Sequence, residues 1–253
     1  MITIQHTLVS LLYFNGDIEK LQTYIPYILI PDAIRMFTKR RQYSHFERGL
    51  NHDVSWLKYP LFLKNISEKQ LEKYLVDEIA IPNCCIGEET ILETFEQHNQ
   101  HLPSKYHDGV ALHLCQDRAF DTFVRTVFDC EEKYDDIFIV NGDTIDGTQF
   151  RNVINKMEQQ GVYVLAKIIY DKYHIKTNQK WFDTYIYPIL QDMYSADMTE
   201  NTYKYMCIDN QIDTWISNCD FTHMDEDFVI SQARLEDMYH NVQITSRAYV
   251  DIK

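Results

Sequence analysis

The twenty residues from Tyr106 to Arg125 constrain the fold more than any other stretch of the chain. His113, Asp117 and Asp121 recur there every four residues. On an α-helix each such step turns about 40° past a full circle and climbs about 6 Å, so the three side chains form one polar stripe. Val110, Ala111, Leu114, Phe120, Phe123 and Val124 surround the stripe with apolar positions, which predicts a largely buried helix. A buried carboxylate must be paired, hydrogen-bonded or bound to a metal. An imidazole and a carboxylate one turn apart can close on one cation. Two readings of the stripe are open at this point: a solvated polar face, and a metal or catalytic site.

The rest of the chain is equally helical in pattern. Only 7 Gly and 6 Pro occur among 253 residues, and apolar positions recur with helical periods, so long helices joined by short turns are expected. The predicted fold is all-α, a single multi-helix bundle with short loops. No repeat or low-complexity linker interrupts it, so residues 1–253 are read as one domain. The candidate metal-site half spans 1–130, and a helical C-terminal half spans 131–253. A formal net charge of −14 argues against coating nucleic acid, which needs a basic face. It leaves a phosphoester substrate open, because bound divalent cations invert the local field.

The six cysteines, Cys84, Cys85, Cys115, Cys130, Cys207 and Cys219, form no Cys-x-x-Cys motif. They are read as reduced and mostly buried, as in a cytoplasmic protein. The opening Met1-Ile-Thr-Ile-Gln lacks the basic region of a signal peptide. No run approaches the ~18 apolar residues of a transmembrane segment.

Taken in order, residues 2–13 read as a first helix with Ile2, Ile4, Leu8, Leu11 and Leu12 on roughly one side and His6 within it. Asp17 caps a second helix, and Pro26 and Pro31 break the pattern, Pro31 suiting the first turn of a new helix. Asp32 then either caps and charges that helix start or serves as a ligand. Capped or amphipathic helices follow at 67–75 and 88–99, and a longer one at 103–129. Ile137–Val140 has strand character. The loop that follows is similar to a calcium loop but fails as one, with Gly142 and Thr144 where acidic ligands belong and Val153 where the glutamate belongs. A loop and a helix start are expected instead, followed by helices over 148–173, 181–194 (split or kinked at Pro188), 201–208, 211–217 and 225–241, with the last dozen residues as a tail.

His52-Asp53 and His107-Asp108 are literal His-Asp dipeptides, and His223 and Asp227 repeat the four-residue spacing. The dipeptides keep open a third, weaker reading, a His-Asp-type nucleotide phosphohydrolase. Glycine-rich nucleotide loops, Gly-x-Ser-x-Gly and His-Glu-x-x-His are all missing from the sequence. Cys115 stands two residues from His113, and i and i+2 point to different faces of a helix, which weakens a cysteine–histidine pair.

His6, Ile30-Pro31-Asp32, Ser44-His45-Phe46 and Gly109-Val-Ala-Leu-His-Leu-Cys-Gln-Asp117, in that order, resemble the pattern of the bacterial zinc-dependent phospholipase C family and its relatives, the single-strand zinc nucleases. The resemblance covers about the first half of the chain. It implies an all-α bundle that hydrolyses phosphoesters with a metal-bound hydroxide. It also implies His6, Asp32, His45, His113 and Asp117 as ligands. Two parts of the family pattern are missing: the amino-terminal Trp is Met here, and no His is followed four residues later by Glu. One or two ions are therefore expected rather than three.

A mixed nitrogen and oxygen ligand set suits zinc, with manganese or iron as alternatives. Asp121, one turn beyond Asp117, is the candidate catalytic base or orienting carboxylate. Arg118 and Arg125 either meet a phosphate or pair with acidic neighbours. The expected partner is a small phosphoester substrate or a lipid head group. The competing expectation is a non-catalytic helical binding or assembly protein on a degenerate hydrolase scaffold, supported by 18 Tyr and 13 Phe.

Overall fold

The computed structural model describes residues 1–38, 64, 103–129, 131–134, 137–207, 211–216 and 229–252. His45, His52-Asp53, His223–Asp227, the helices expected at 67–75 and 88–99, and the cysteines other than Cys115 and Cys207 lie outside these residues. The described elements are α1 (Thr3–Tyr13), α2 (Ile18–Ile28), α3 (Ile30–Thr38), α4 (Ser104–Val127), β1 (Glu131–Tyr134), β2 (Ile137–Val140), β3 (Asp143–Asp146), α5 (Gly147–Tyr173), α6 (Gln179–Tyr185), α7 (Tyr187–Met193), α8 (Ala196–Cys207), α9 (Ile212–Trp215) and α10 (Gln232–Tyr249). The fold is all-α, with one small antiparallel sheet in the order β1-β2-β3.

Helix α1 is the centre of the packing. Every residue from Thr3 to Tyr13 is buried, and the helix touches α2, α4, α5, α8 and α10. The apolar side read from the sequence is only part of what is buried: Thr3, Gln5, His6, Thr7 and Ser10 are buried as well. Burying a polar side chain is tolerable only with a partner, and these side chains have them. Thr3 donates to Asp32, Gln5 to Tyr239 and to the Glu158 carbonyl, and Thr7 to the Thr3 carbonyl, while Ser10 accepts from Gln116.

Helix α4 packs against α2 on one side and α10 on another. Gly109 makes the first contact possible: a Cβ there would lie 2.5 Å from Tyr27 Cβ and 3.0 Å from the Tyr27 backbone. Proline 26 lies within the last turn of α2 instead of ending it; it is buried, and its carbonyl accepts from the Tyr194 hydroxyl. Pro31 sits in the first turn of α3, as expected.

The loop expected after Val140 is a hairpin. Asn141 and Gly142 both have positive φ, 52° and 89°, and join Val140 to its partner Asp143. Two left-handed residues between paired strands are the signature of a type I′ turn, which Asn-Gly favours. Asp146 then caps α5, accepting from Gln149 N at 2.8 Å while the Gln149 side chain accepts from Asp146 N, a reciprocal capping box. Phe138 of the hairpin stacks on Phe150 of α5 at 4.4 Å.

Helix α10 runs to Tyr249, past the expected end at Asn241, so most of the expected tail is helical; residues 225–228 of the expected helix lie outside the described residues. The Tyr13 hydroxyl donates to the Val250 carbonyl and accepts from Ile252 N. No described helix is long and apolar enough to cross a membrane.

Candidate metal centre

The polar stripe of α4 runs from the interior outward. His113 and Asp117 are buried, at 0% and 6% exposure, and Asp121 is half-buried. Helix α1 brings His6, fully buried, against them. Asp117 divides its two oxygens between the imidazoles: Oδ1 lies 3.2 Å from His6 Nε2, and Oδ2 lies 3.5 Å from His113 Nε2. The two rings stack at 3.8 Å with 18° between their planes.

These distances suit a cation. Two donors each about 2.1 Å from a tetrahedral ion stand about 3.4 Å apart. His6 Nε2 is buried without a hydrogen-bond partner. One ligand atom from each of His6, His113 and Asp117 falls within 4.8 Å of the others. The group can therefore hold a metal ion. Burial, and then the neighbouring His6, push the His113 pKa below its ordinary value, partly offset by Asp117. The neutral imidazole so favoured is the form a metal requires.

Asp32, at the start of α3, is 1% exposed. It accepts from the Thr3 hydroxyl at 3.0 Å and stands 3.9 Å from Arg35 Nη1. Its charge reaches His113, but it lies outside the three-residue group. Asp121 lies outside it too. Both line a cleft of about 520 Å³, together with Met1, Arg35 and Glu158. His45 belongs to the undescribed residues, so the structure places four of the five proposed ligands and gathers three.

Three polar groups at the centre had no motif to announce them. The Met1 α-amine donates to Asp117 Oδ1 at 2.6 Å. Glu158 of α5, 8% exposed, has its carboxyl pushed up to about 7, first by burial and then against the pull of the amino terminus. Gln116 is a third such group, and it grips His6 from the other side. The only trace in the sequence was its place beside Asp117.

Other candidates recede. His107 Nδ1 lies 3.5 Å from Asp108 Oδ1 on a partly exposed face, away from the centre. Burial pushes the Cys115 thiol up to about 11, which leaves almost no thiolate at neutral pH. Arg118 lies over the Tyr249 ring at 5.3 Å, and Arg125 is exposed. No protein-family model matches the chain, and no curated protein or solved structure matches it significantly.

Proposed function

We propose that this chain is a metal-dependent phosphoester hydrolase, phosphodiesterase- or phospholipase C-like, that acts on a small phosphoester or a lipid head group. The observation that carries the reading is the convergence of His6 Nε2, His113 Nε2 and Asp117, tied through the Met1 amine to a cleft that Met1 and Asp121 line. Zinc is the favoured ion for two imidazoles and a carboxylate, with manganese or iron as alternatives. Such an ion, when bound, lowers the pKa of a coordinated water and stabilises charge on a phosphoryl oxygen.

The residues around it have separate work. The two rings stack, and Asp117 presents one oxygen to the Nε2 of each. That arrangement suits a carboxylate shared between two ions as well as one ion closed on by all three. Arg35 and Arg151 line the cleft beside Asp32, Asp121 and Glu158 and are the cationic groups there that a phosphoryl group would meet. Glu158, with a carboxyl titrating at about 7, can take up or release a proton at neutral pH, and Asp121 offers a second carboxylate on the same wall.

The experiment is metal analysis of the purified protein, with hydrolysis of bis(p-nitrophenyl) phosphate in added Zn²⁺ or Mn²⁺. About one or two tightly held ions, lost in folded His113→Ala and Asp117→Ala, support the reading. A metal-free protein that stays inactive with either ion overturns it.

One observation favours a second reading, a non-catalytic helical binding protein. The Met1 ammonium already balances the Asp117 charge at 2.6 Å, so the centre is electrostatically satisfied without an ion. On that reading chelators leave the melting temperature unchanged and no metal copurifies.

A further inference from the structure

We infer that Gln116 is the positioning residue of the centre: its side-chain oxygen holds His6 in the tautomer protonated on Nδ1, which leaves Nε2 free to bind a cation beside Asp117. The inference rests on the metal reading of the same site.

Successive residues of α4 take opposite edges of one ring. Gln116 Oε1 stands 2.8 Å from His6 Nδ1, while Asp117 Oδ1 stands 3.2 Å from His6 Nε2. A neutral imidazole carries one proton, and its neighbours decide which nitrogen holds it. A carbonyl oxygen only accepts, so with Oε1 facing the ring the proton belongs on Nδ1. The amide is held that way round from behind: Gln116 Nε2 donates to Ser10 Oγ at 3.0 Å. Ser10 sits one turn after His6 on the same face of α1, so a single side chain from α4 bridges both.

Nε2 is then a lone pair facing a carboxylate oxygen, and it is buried without a hydrogen-bond partner. Two electron-rich atoms opposed at 3.2 Å are unfavourable unless something positive lies between or beside them. The Met1 ammonium meets that same oxygen, and a divalent ion would serve both atoms. His6, Ser10 and Gln116 are all 0% exposed. Three fully buried polar side chains are expensive where an apolar trio would pack. An oriented imidazole gives the arrangement a use, since the group hydrogen-bonded to a ligand histidine sets its tautomer and its affinity.

The rival arrangement reverses the amide, turns Ser10 into the donor and moves the proton to Nε2, where it would satisfy Asp117 and oppose a cation. Long-range ¹H–¹⁵N correlation spectra of the metal-free protein distinguish the two. Wild type is expected to show the Nδ1-protonated pattern for His6, assigned by its loss in His6→Gln. Gln116→Met removes the acceptor at nearly constant volume, so this pattern should collapse and Zn²⁺ affinity should fall about 10- to 100-fold. Gln116→Glu keeps an acceptor toward the ring and should restore both. Ser10→Ala, a conservative change within a helix, releases the amide and should give a mixture of tautomers, which keeps the test decisive if Gln116→Met does not fold. An Nε2-protonated His6 in wild type, or wild-type Zn²⁺ affinity in Gln116→Met and Ser10→Ala alike, overturns the inference. If wild type binds no Zn²⁺ the metal reading fails, and the spectra still judge Gln116: the Nδ1 pattern lost on substitution sustains the role, and its absence from wild type overturns it.

Discussion

Helix α4 carries two histidine–aspartate pairs that differ in spacing and in what packs against them. His107 and Asp108 are sequence neighbours. Adjacent residues point about 100° apart on a helix, and this pair meets only at 3.5 Å, with side-chain exposures of 18% and 30%. His113 and Asp117 are one turn apart, stacked along one face, with exposures of 0% and 9%. The second pair faces α1 and gains His6 and the Met1 amine, whereas the first lies on a partly exposed face. A carboxylate in the interior is costly unless held by several partners. Spacing sets which side chains share a face, and packing decides the rest: Lys167–Asp171 and Glu200–Lys204 have the same four-residue spacing and remain surface ion pairs.

The sharpest way to break this comparison is to remove the carboxylate from each pair. Asp117→Ala leaves the Met1 ammonium buried without its counter-charge. Unfolding in denaturant should show a loss of about 3–5 kcal/mol. A loss below about 1 kcal/mol would mean that the centre is better solvated than its burial indicates.

The next effect concerns Glu158 and depends on pH. Its carboxyl is pushed up to about 7 in the folded protein, against 4.5 for a free glutamate side chain. The folded state therefore binds more protons than the unfolded state between those values. The contribution is complete below pH 4.5, declines as pH rises, and is lost above about 7. Glu158→Gln removes the ionisation, so it should stabilise the metal-free protein at pH 8 by on the order of 3 kcal/mol relative to its effect at pH 4. Thermal melts of both proteins across that range test it, and parallel curves would count against a raised carboxyl.

Gly109→Ala tests how α4 is seated. The added Cβ would lie 2.5 Å from Tyr27 Cβ, so α2 and α4 must separate, at a cost of about 1–3 kcal/mol. If that movement reaches the centre, metal affinity should fall with stability. Retained affinity would show that α1 and α4 hold the site without α2.

The smallest effects belong to the other pair. Asp108→Ala and His107→Ala should each shift stability by less than about 0.5 kcal/mol and leave metal content unchanged. Loss of metal in His107→Ala, with retention in His113→Ala, would reverse the comparison and favour the dipeptide.

Much of this was legible in the sequence because it depends on local spacing. The stripe at His113, Asp117 and Asp121, the cap at Asp17, the helix start at Pro31 and the long helix ending at Tyr173 follow from helical periods and capping chemistry. The Asn141-Gly142 pair is a hairpin-turn signal, but Asp143-Thr-Ile-Asp146 after it lacks the apolar alternation of a strand, so the pairing of Ile137–Val140 with Asp143–Asp146 was not legible. The all-round burial of α1 was not legible: its apolar residues mark one face, while Thr3, Gln5, His6 and Ser10 read as a polar face until their partners are known.

By itself, then, the sequence determined the helices and the ligand pair within α4, because a turn of helix sets those positions whatever surrounds them. Only the tertiary structure decided that His6 lies against that pair, that Gln116 takes its far nitrogen and that Glu158 lines the cleft beside Met1. These meetings join residues more than 100 positions apart. They depend on how α1, α4 and α5 pack, which no local period encodes.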